Sequence, residues 1–149
     1  MVELSRLVLE NGLMGDYDDR RQTFEVDPEE LERVLPREGT EREVILVGHL
    51  SHLMPVDKAV ILRCRPSFLA GRLRARGYPE HKVIENMEAE ACDVILIEAL
   101  DEVREVYEVD GSHLTPEGSA DAVEEILGGK TEKYGPGHID WSEEVMGWF

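Results

Sequence analysis

The sequence predicts an α/β fold in which a parallel sheet is covered by helices. Three short runs have the composition of strands, at residues 43–47, 58–62 and 106–109. Segments with helical spacing of apolar residues separate them, and this alternation is typical of a parallel sheet. With 149 residues, 42% of them apolar, the chain is long enough to bury a core.

Two helices are predicted before the first of these runs. Residues 2–11 have a helical pattern that ends where Gly12 supplies the left-handed conformation of a helix C-terminus. The second helix begins at Asp27, which can cap it, followed by Pro28, which suits the first turn. It is expected to end near Pro36.

The middle of the chain carries two apolar strands and two helices. Residues 43–47 form a short apolar run bounded by a turn, which indicates a strand buried on both faces, and residues 58–62 form another. A helix is predicted from Pro66 to Gly77. Residues 79–104 are predicted to form a single long helix, because apolar residues recur there at helical spacing.

The last third of the chain adds one strand, one helix and a tail. Residues 106–109 alternate apolar and acidic side chains like a strand, and Thr115 can cap a helix that runs to Leu127. These elements place a domain at residues 1–127 and a C-terminal tail at residues 128–149. Four apolar residues of that tail are expected to dock on the domain: Trp141, Val145, Trp148 and Phe149.

The composition is strongly acidic. Thirty-three acidic residues against 16 basic ones give a formal net charge of −17, which repels nucleic acid unless a local basic patch overrides it. One interpretation is a functional surface for a basic partner or a metal. The other, which we favour because the acids fall on predicted solvent faces, is a salt-adapted surface and a halophilic archaeal source.

Other compositional features limit where the protein works. No run approaches the roughly 18 apolar residues that a membrane helix needs, so no membrane partner is expected. The first 20 residues are too acidic for a signal or transit peptide. Two cysteines are too few for a disulfide framework, and we expect a reducing cytoplasm.

A histidine follows directly after the predicted strand 43–47. Gly48 lets the backbone approach a ligand closely, and His49 would lie at the carboxyl end of a parallel sheet, where ligands bind in open α/β folds. The alternative is a loop histidine whose hydrogen bonds are satisfied locally. His49 and His52 form an H-x-x-H pair, but no third ligand is in view and we expect no metal there.

Arginines cluster in a short segment of this acidic chain. Five of the 16 basic residues fall within 14 positions: Arg63, Arg65, Arg72, Arg74 and Arg76. A guanidinium binds phosphate oxygens through two parallel hydrogen bonds, so this cluster favours a phosphate site. The alternative is pairing with the Glu-rich helix that follows.

A polar loop near the N-terminus offers a third candidate. Residues 15–19 contain three aspartates, which could hold a divalent cation or simply be solvated, and their spacing matches no calcium motif. Glu10, Asp16 and Tyr17 could equally contact the sugar and base of a nucleotide. Composition does not choose between these interpretations.

Taken together, these segments resemble the small adenylate kinase family of archaea and eukaryotes that is linked to small-subunit ribosome assembly. The resemblance covers nearly all of residues 3–127, and it implies that residues 1–127 form a nucleotide kinase domain with a P-loop kinase-type parallel sheet covered by helices. It is carried by Glu10 to Asp18, Gly48-His49, Leu62-Arg63, Leu73 to Tyr78, Asn86 to Glu90 and the helix at Pro116.

The resemblance implies a kinase that uses Mg²⁺ and moves the terminal phosphoryl of ATP onto AMP or another nucleoside monophosphate. It also implies an ATPase activity, and a small-subunit ribosomal protein as a further partner. Residues 3–26 would bind the monophosphate, through Glu10, Asp16 and Tyr17. A lid at about residues 75–85 would place Arg76, and with it Arg74, on the ATP phosphates. His49 matches a histidine that the family associates with its catalytic centre.

Two departures from the family pattern stand out. The first strand and the Gly-x-x-x-x-Gly-Lys-Thr loop have no counterpart, and residues 128–131 follow a helix and lack the upstream glycine. Val47 also stands where the family often has an acid. We therefore expect a gene start assigned too late or a truncated chain, exposed apolar flanks at residues 44–47 and 106–109, and no phosphoryl transfer by these 149 residues.

A different class of function stays open. The chain could be a ribosome-assembly factor that binds without turnover, or a degenerate nucleotide-binding module that has lost catalysis.

Overall fold

The computed structural model of the protein describes residues 1–21, 23–36 and 43–149. Its contacts divide the chain into two compact units, residues 1–56 and residues 57–149. The segment predicted as a tail, residues 128–149, is part of the second unit. Within the described ranges no helix is both long and apolar enough to cross a membrane.

The first unit is built from short elements. They are β1 (Val2–Glu3), α1 (Leu4–Glu10), β2 (Tyr17–Asp18), β3 (Thr23–Phe24), α2 (Pro28–Arg33), β4 (Leu46–Val47) and a 3₁₀ turn (Ser51–Leu53). β1 and β4 pair in parallel, and β2 and β3 form an antiparallel hairpin. A small apolar core holds the unit together, made of Leu4, Val8, Leu31 and Met54.

The predicted end of the first helix and the predicted start of the second are confirmed. α1 ends before Gly12, whose φ of 64° is left-handed. At α2 the carboxylate of Asp27 accepts a hydrogen bond of 2.9 Å from the amide of Glu29, and Pro28 occupies the first position. The second helix is slightly shorter than expected and ends at Arg33.

The strand predicted at residues 43–47 differs from the expectation. Only Leu46 and Val47 are paired, and the interpretation of a strand buried on both faces is wrong, because Val44 and Val47 are 46% and 43% exposed. In the described part of the unit its strand partner is the two-residue β1, which is too short to cover the run. The exposed flank expected at residues 44–47 is thereby confirmed.

The second unit is a two-stranded parallel sheet with a helical crossover. Its elements are β5 (Lys58–Arg63), α3 (Pro66–Ala75), α4 (Glu80–Ala91), α5 (Val94–Glu102), β6 (Glu105–Asp110), α6 (Pro116–Leu127) and α7 (Ser142–Met146). β5 and β6 pair from Lys58–Glu105 to Arg63–Asp110. The predicted α/β class, with parallel strands flanked by helices, is confirmed.

The flank expected to be exposed at residues 106–109 is instead buried. Val106 and Val109 are 6% and 2% exposed. Val109 packs against Ala122 and Ile126 of α6, and Thr115 caps that helix by accepting a hydrogen bond from the amide of Gly118. The sheet face at β6 is therefore covered by this chain's own helix, and that part of the expectation is wrong.

The single helix predicted at residues 79–104 is two helices. α4 ends at Ala91 and α5 starts at Val94, and between them Asp93 adopts a left-handed φ of 54°. Aspartate tolerates this conformation better than most residues. The bend brings the Asp93 carboxylate onto the guanidinium of Arg63, a contact that a continuous helix would not make.

A buried arginine forms the polar centre of this unit. Arg63, only 2% exposed, donates to Glu90 over 2.7 Å and also pairs with Asp93 and with the fully buried Glu108. Burial lowers the pKa of Arg63, but its hydrogen bonds to the three carboxylates outweigh that effect and raise it, so the group stays charged. One cation thus pairs with acids from α4, β6 and the bend.

The tail docks on this centre through polar atoms. The amide of Gly137 donates to Glu108 over 2.7 Å, and the indole of Trp141 donates to Glu90 over 2.9 Å. The expected apolar docking is wrong at the chain end, where Phe149 is fully exposed and Trp148 is 40% exposed. The tail is held by hydrogen bonds to buried carboxylates more than by apolar burial.

Replacing Arg63 with methionine should strongly destabilise the second unit, because Glu108 would be left buried without its cation. We expect a loss of about 3 to 5 kcal/mol in the free energy of unfolding. Both tryptophans lie in this unit, so their fluorescence during urea unfolding reports on it.

The matched control is Arg104→Met, since the Arg104 side chain is 83% exposed. It should change the free energy of unfolding by no more than about 0.5 kcal/mol. Equal stabilities of the two variants would contradict the role assigned to Arg63.

A second prediction concerns pH. Burial raises the pKa of Glu90, and this outweighs the opposing hydrogen bonds from Trp141 and Arg63. The folded state therefore binds the proton more readily than the unfolded state, and its stability falls as pH rises through the raised pKa.

Glu90→Gln removes this titration, so wild type should gain stability relative to the variant as pH falls from neutral to mildly acidic. Urea unfolding of both proteins across that range measures the difference. A difference that does not change with pH, or that changes in the opposite direction, would refute the assignment.

Candidate functional site

The clustered arginines do not share one role in the structure. Arg63 is paired with the carboxylates of Glu90, Asp93 and Glu108. Arg72 donates from one nitrogen to the carbonyls of Gly111 and Ser112, each over 3.0 Å. Arg65 pairs with Glu144 over 3.1 Å. These three guanidiniums are already engaged within the second unit.

The turn between α3 and α4 carries the other two arginines. Arg74 pairs with Glu80 across the turn, as the alternative interpretation of pairing with the following helix anticipated. Arg76 is exposed and makes no side-chain hydrogen bond or ion pair with the residues that the structure describes. Gly77 has a φ of 80° and turns the chain into α4. Arg76 is thus a cation available to an anionic ligand.

The carboxyl end of the β5–β6 sheet is held rigidly. The hydroxyl of Ser112 donates to Asp110 and accepts a hydrogen bond of 2.8 Å from the amide of Arg65. Arg72 fixes the same loop from the other side. Ligands bind outside this end of the strands in open α/β sheets, so the loop is a candidate wall of the site. Sequence reasoning missed Ser112, although Asp110-Gly111-Ser112 after a strand was a usable signal.

A cysteine lies beneath this loop. The Sγ atom of Cys64 accepts a hydrogen bond of 3.4 Å from Arg72. Burial raises the pKa of the Cys64 thiol, and Arg72 opposes the shift only in part. A protonated, buried thiol is a poor nucleophile, so Cys64 contributes packing here.

The candidate monophosphate residues lie in the first unit. Tyr17, at the start of the hairpin, stacks edge-on against Phe24 with ring centroids 5.0 Å apart and keeps 49% of its surface exposed. The carbonyl of Asp16 accepts a hydrogen bond from the amide of Glu25, which leaves its exposed carboxylate available. Glu10 pairs with Arg6 over 2.6 Å on α1.

The aspartate run beside this hairpin has a local structural role. One Asp18 oxygen accepts hydrogen bonds from the amides of Arg20 and Arg21, which closes a turn. This accounts for one of the three aspartates without a cation.

His49 lies where the sequence places it, directly after β4. It is exposed, and the preceding Gly48 has a φ of 153° that favours glycine. A Cβ on Gly48 would lie 3.2 Å from the side chain of Leu4, so the strand end also packs closely on α1. His52, three residues later, is 4% exposed and forms part of the unit's interior.

The described residues include a group that suits the phosphates of ATP, but no set of ligands that suits Mg²⁺. The exposed Arg76 guanidinium matches phosphate oxygens. Among residues 1–21, 23–36 and 43–149, no three His, Cys, Asp or Glu side chains are grouped to hold a metal ion, and Val47 occupies the position before Gly48-His49 where an acid would serve. The described residues therefore do not supply a Mg²⁺ ligand set.

Known proteins match this chain along most of its length. A protein of Pyrococcus abyssi named "Putative adenylate kinase" is 46% identical over 144 residues, which cover 95% of this chain and 77% of the relative. Proteins of the same name from Thermococcus onnurineus and Natronomonas pharaonis are 43% and 35% identical, and the matches cover 77% and 85% of those proteins.

The profile of the AAA domain family matches residues 1–93. That range is more than half of the chain, and it contains β1, the hairpin, His49 and the arginine-bearing helix α3. The chain belongs to this P-loop kinase-like family, together with its archaeal relatives.

Proposed function

We propose that the protein is a nucleoside monophosphate kinase that transfers the terminal phosphoryl of ATP to AMP. The observation that carries the proposal is the 46% identity, over 95% of this chain, to the Pyrococcus abyssi protein named "Putative adenylate kinase". Both the hairpin with Tyr17 and the turn with Arg76 fall inside the matched family profile.

In the proposed reaction an oxygen of the AMP phosphate attacks the terminal phosphorus of ATP. The bond from that phosphorus to the bridging oxygen breaks, and two ADP molecules result. With water in place of AMP, the same step is the ATPase activity that the resemblance implies. Little covalent work falls to the protein, so positioning and charge neutralisation govern the rate.

Arg76 is proposed to neutralise the ATP phosphates. Its guanidinium is exposed at the end of α3. Because it has no side-chain partner in the described part of the chain, it can bind a phosphate without breaking an existing contact. Arg74 would first have to exchange its contact with Glu80. Arg76 is therefore the stronger candidate, and Arg74 a secondary one.

The acceptor is proposed to bind in the first unit. The exposed face of Tyr17 offers a stacking surface for a base, and the Asp16 carboxylate offers hydrogen-bond acceptors for a sugar. Glu10 supplies a further carboxylate on α1. His49, exposed at the carboxyl end of β4, is proposed to contact the reacting phosphates.

A P-loop sequence, with its phosphate-binding amides and lysine, does not occur among these 149 residues. We therefore expect this stretch alone to transfer no phosphoryl group, and a chain in which a strand and a P-loop precede it to be active. Robust ADP formation by the 149 residues alone would contradict that expectation.

Arg76→Ala and His49→Ala should each lower turnover about 100-fold or more in a chain that carries a P-loop ahead of these residues, because each removes a group proposed to stabilise the negative charge on the transferred phosphoryl. ADP formation from ATP and AMP, followed by coupled assay, measures the effect. Arg104→Ala is the control, since its exposed guanidinium lies outside the proposed site. Undiminished turnover in both variants would refute the assignment of these two residues.

A second candidate function is the binding of a basic small-subunit ribosomal protein, and the net charge of −17 favours it. Calorimetry with purified ribosomal proteins should detect a complex that weakens as salt rises. No complex at low salt, together with an unfolding temperature that rises with KCl, would instead support the salt-adapted surface.

A further inference from the structure

The end of the chain crosses the candidate site. Glu144 of α7 accepts a hydrogen bond of 2.7 Å from the amide of Ser67, while its other oxygen lies 3.1 Å from the guanidinium of Arg65. Because Pro66 has no N–H, the Ser67 amide is the first free donor of α3. A carboxylate from the tail therefore satisfies both a helix N-terminus and a neighbouring cation.

These donors lie at the carboxyl end of the parallel sheet. Arg65 follows β5 by two residues, and its own amide donates to Ser112, which follows β6. Oxyanions of ligands bind to the same kind of donors that Glu144 occupies. Glu144 thus holds a position where a ligand's negative charge would otherwise be stabilised.

The tail is anchored firmly up to Gly137 and weakly beyond it. Tyr134 packs beside Val109, its carbonyl accepts from the amide of Glu108, and Gly137 donates to the Glu108 carboxylate. Gly137 itself has a φ of 90° and open space around it, so the backbone can pivot there.

Beyond the pivot, polar contacts hold the segment. α7 contains no buried residue, and Met146 is 76% exposed. The polar contacts that tie this segment to the rest of the unit include those of Glu144, the hydrogen bond from Trp141 to Glu90 and a 4.0 Å contact between His138 and Glu108. Segments with little apolar burial open at a small cost in free energy.

We infer that residues 138–149 form an autoinhibitory strap, in which Glu144 occupies Arg65 and the Ser67 amide until the phosphate of a nucleotide displaces it. The inference rests on the proposed function, because that function supplies the nucleotide whose phosphate would displace Glu144. Opening about Gly137 exposes both donors together.

The test compares Glu144→Ala with Glu143→Ala in the 149-residue chain. The control removes the same charge from the neighbouring, exposed position, so general repulsion of anions by the acidic surface changes equally in both variants. The probe is inorganic tripolyphosphate, which has no base or sugar, and its binding is measured by calorimetry at fixed ionic strength. Hydrogen exchange of the Ser67 amide reports whether the strap is open.

Glu144→Ala should bind tripolyphosphate about fivefold or more tightly than wild type, with faster exchange at Ser67 before the probe is added. Glu143→Ala should match wild type in both measurements. Adding Arg65→Met to Glu144→Ala should remove the gain. In wild type, tripolyphosphate should accelerate exchange within residues 141–147.

Equal affinities of wild type and Glu144→Ala, or no binding by either, would overturn the inference, as would unchanged exchange at Ser67. None of these measurements requires turnover or a monophosphate. If the protein has no kinase activity, these measurements can still support the strap. If it is an active kinase but its tripolyphosphate affinity does not change in Glu144→Ala, the strap is refuted and the proposed function is not.

Discussion

The second unit depends on one buried guanidinium. Arg63 is 2% exposed, and it donates hydrogen bonds to carboxylates that lie 27, 30 and 45 residues away in the chain. Removing charged groups from water is costly unless they are paired and hydrogen-bonded. The left-handed bend at Asp93 and the docking of Gly137 on Glu108 follow from that requirement, because each brings a partner to the buried ions.

This constraint separates the arginines that hold the second unit together from the one that has no partner there. Arg63 holds the sheet to the helical crossover, and Arg72 holds the loop after β6. Spacing alone predicted a phosphate site for the whole series, whereas the contacts engage Arg65 with Glu144 and Arg74 with Glu80. Of the five arginines, Arg76 alone makes no side-chain hydrogen bond or ion pair with the described residues. The same buried cluster anchors the tail that brings Glu144 to the sheet edge.

Local sequence signals predicted most of the fold. The caps at Asp27 and Thr115, the glycines that end α1 and α3, and the strands β5 and β6 depend on neighbouring residues, and each lies where it was expected. The failures involve contacts across long separations. Nothing near Asp93 indicates that its carboxylate is needed at Arg63, and nothing near Trp141 indicates an acceptor 51 residues earlier. Among the candidate site residues, the position of His49 after a strand was predictable, but the partners of Arg65, Arg72 and Arg74 were not.

The most direct measurement is NMR of the arginine guanidinium groups, which records exchange of each Nε proton with water. A buried group with three carboxylate partners exchanges slowly, whereas an exposed group without a partner exchanges fast. We expect a strongly protected Arg63 signal beside an unprotected Arg76 signal in the same spectrum. Similar exchange at the two positions would contradict it, because Arg63 would then not be the buried centre of the unit.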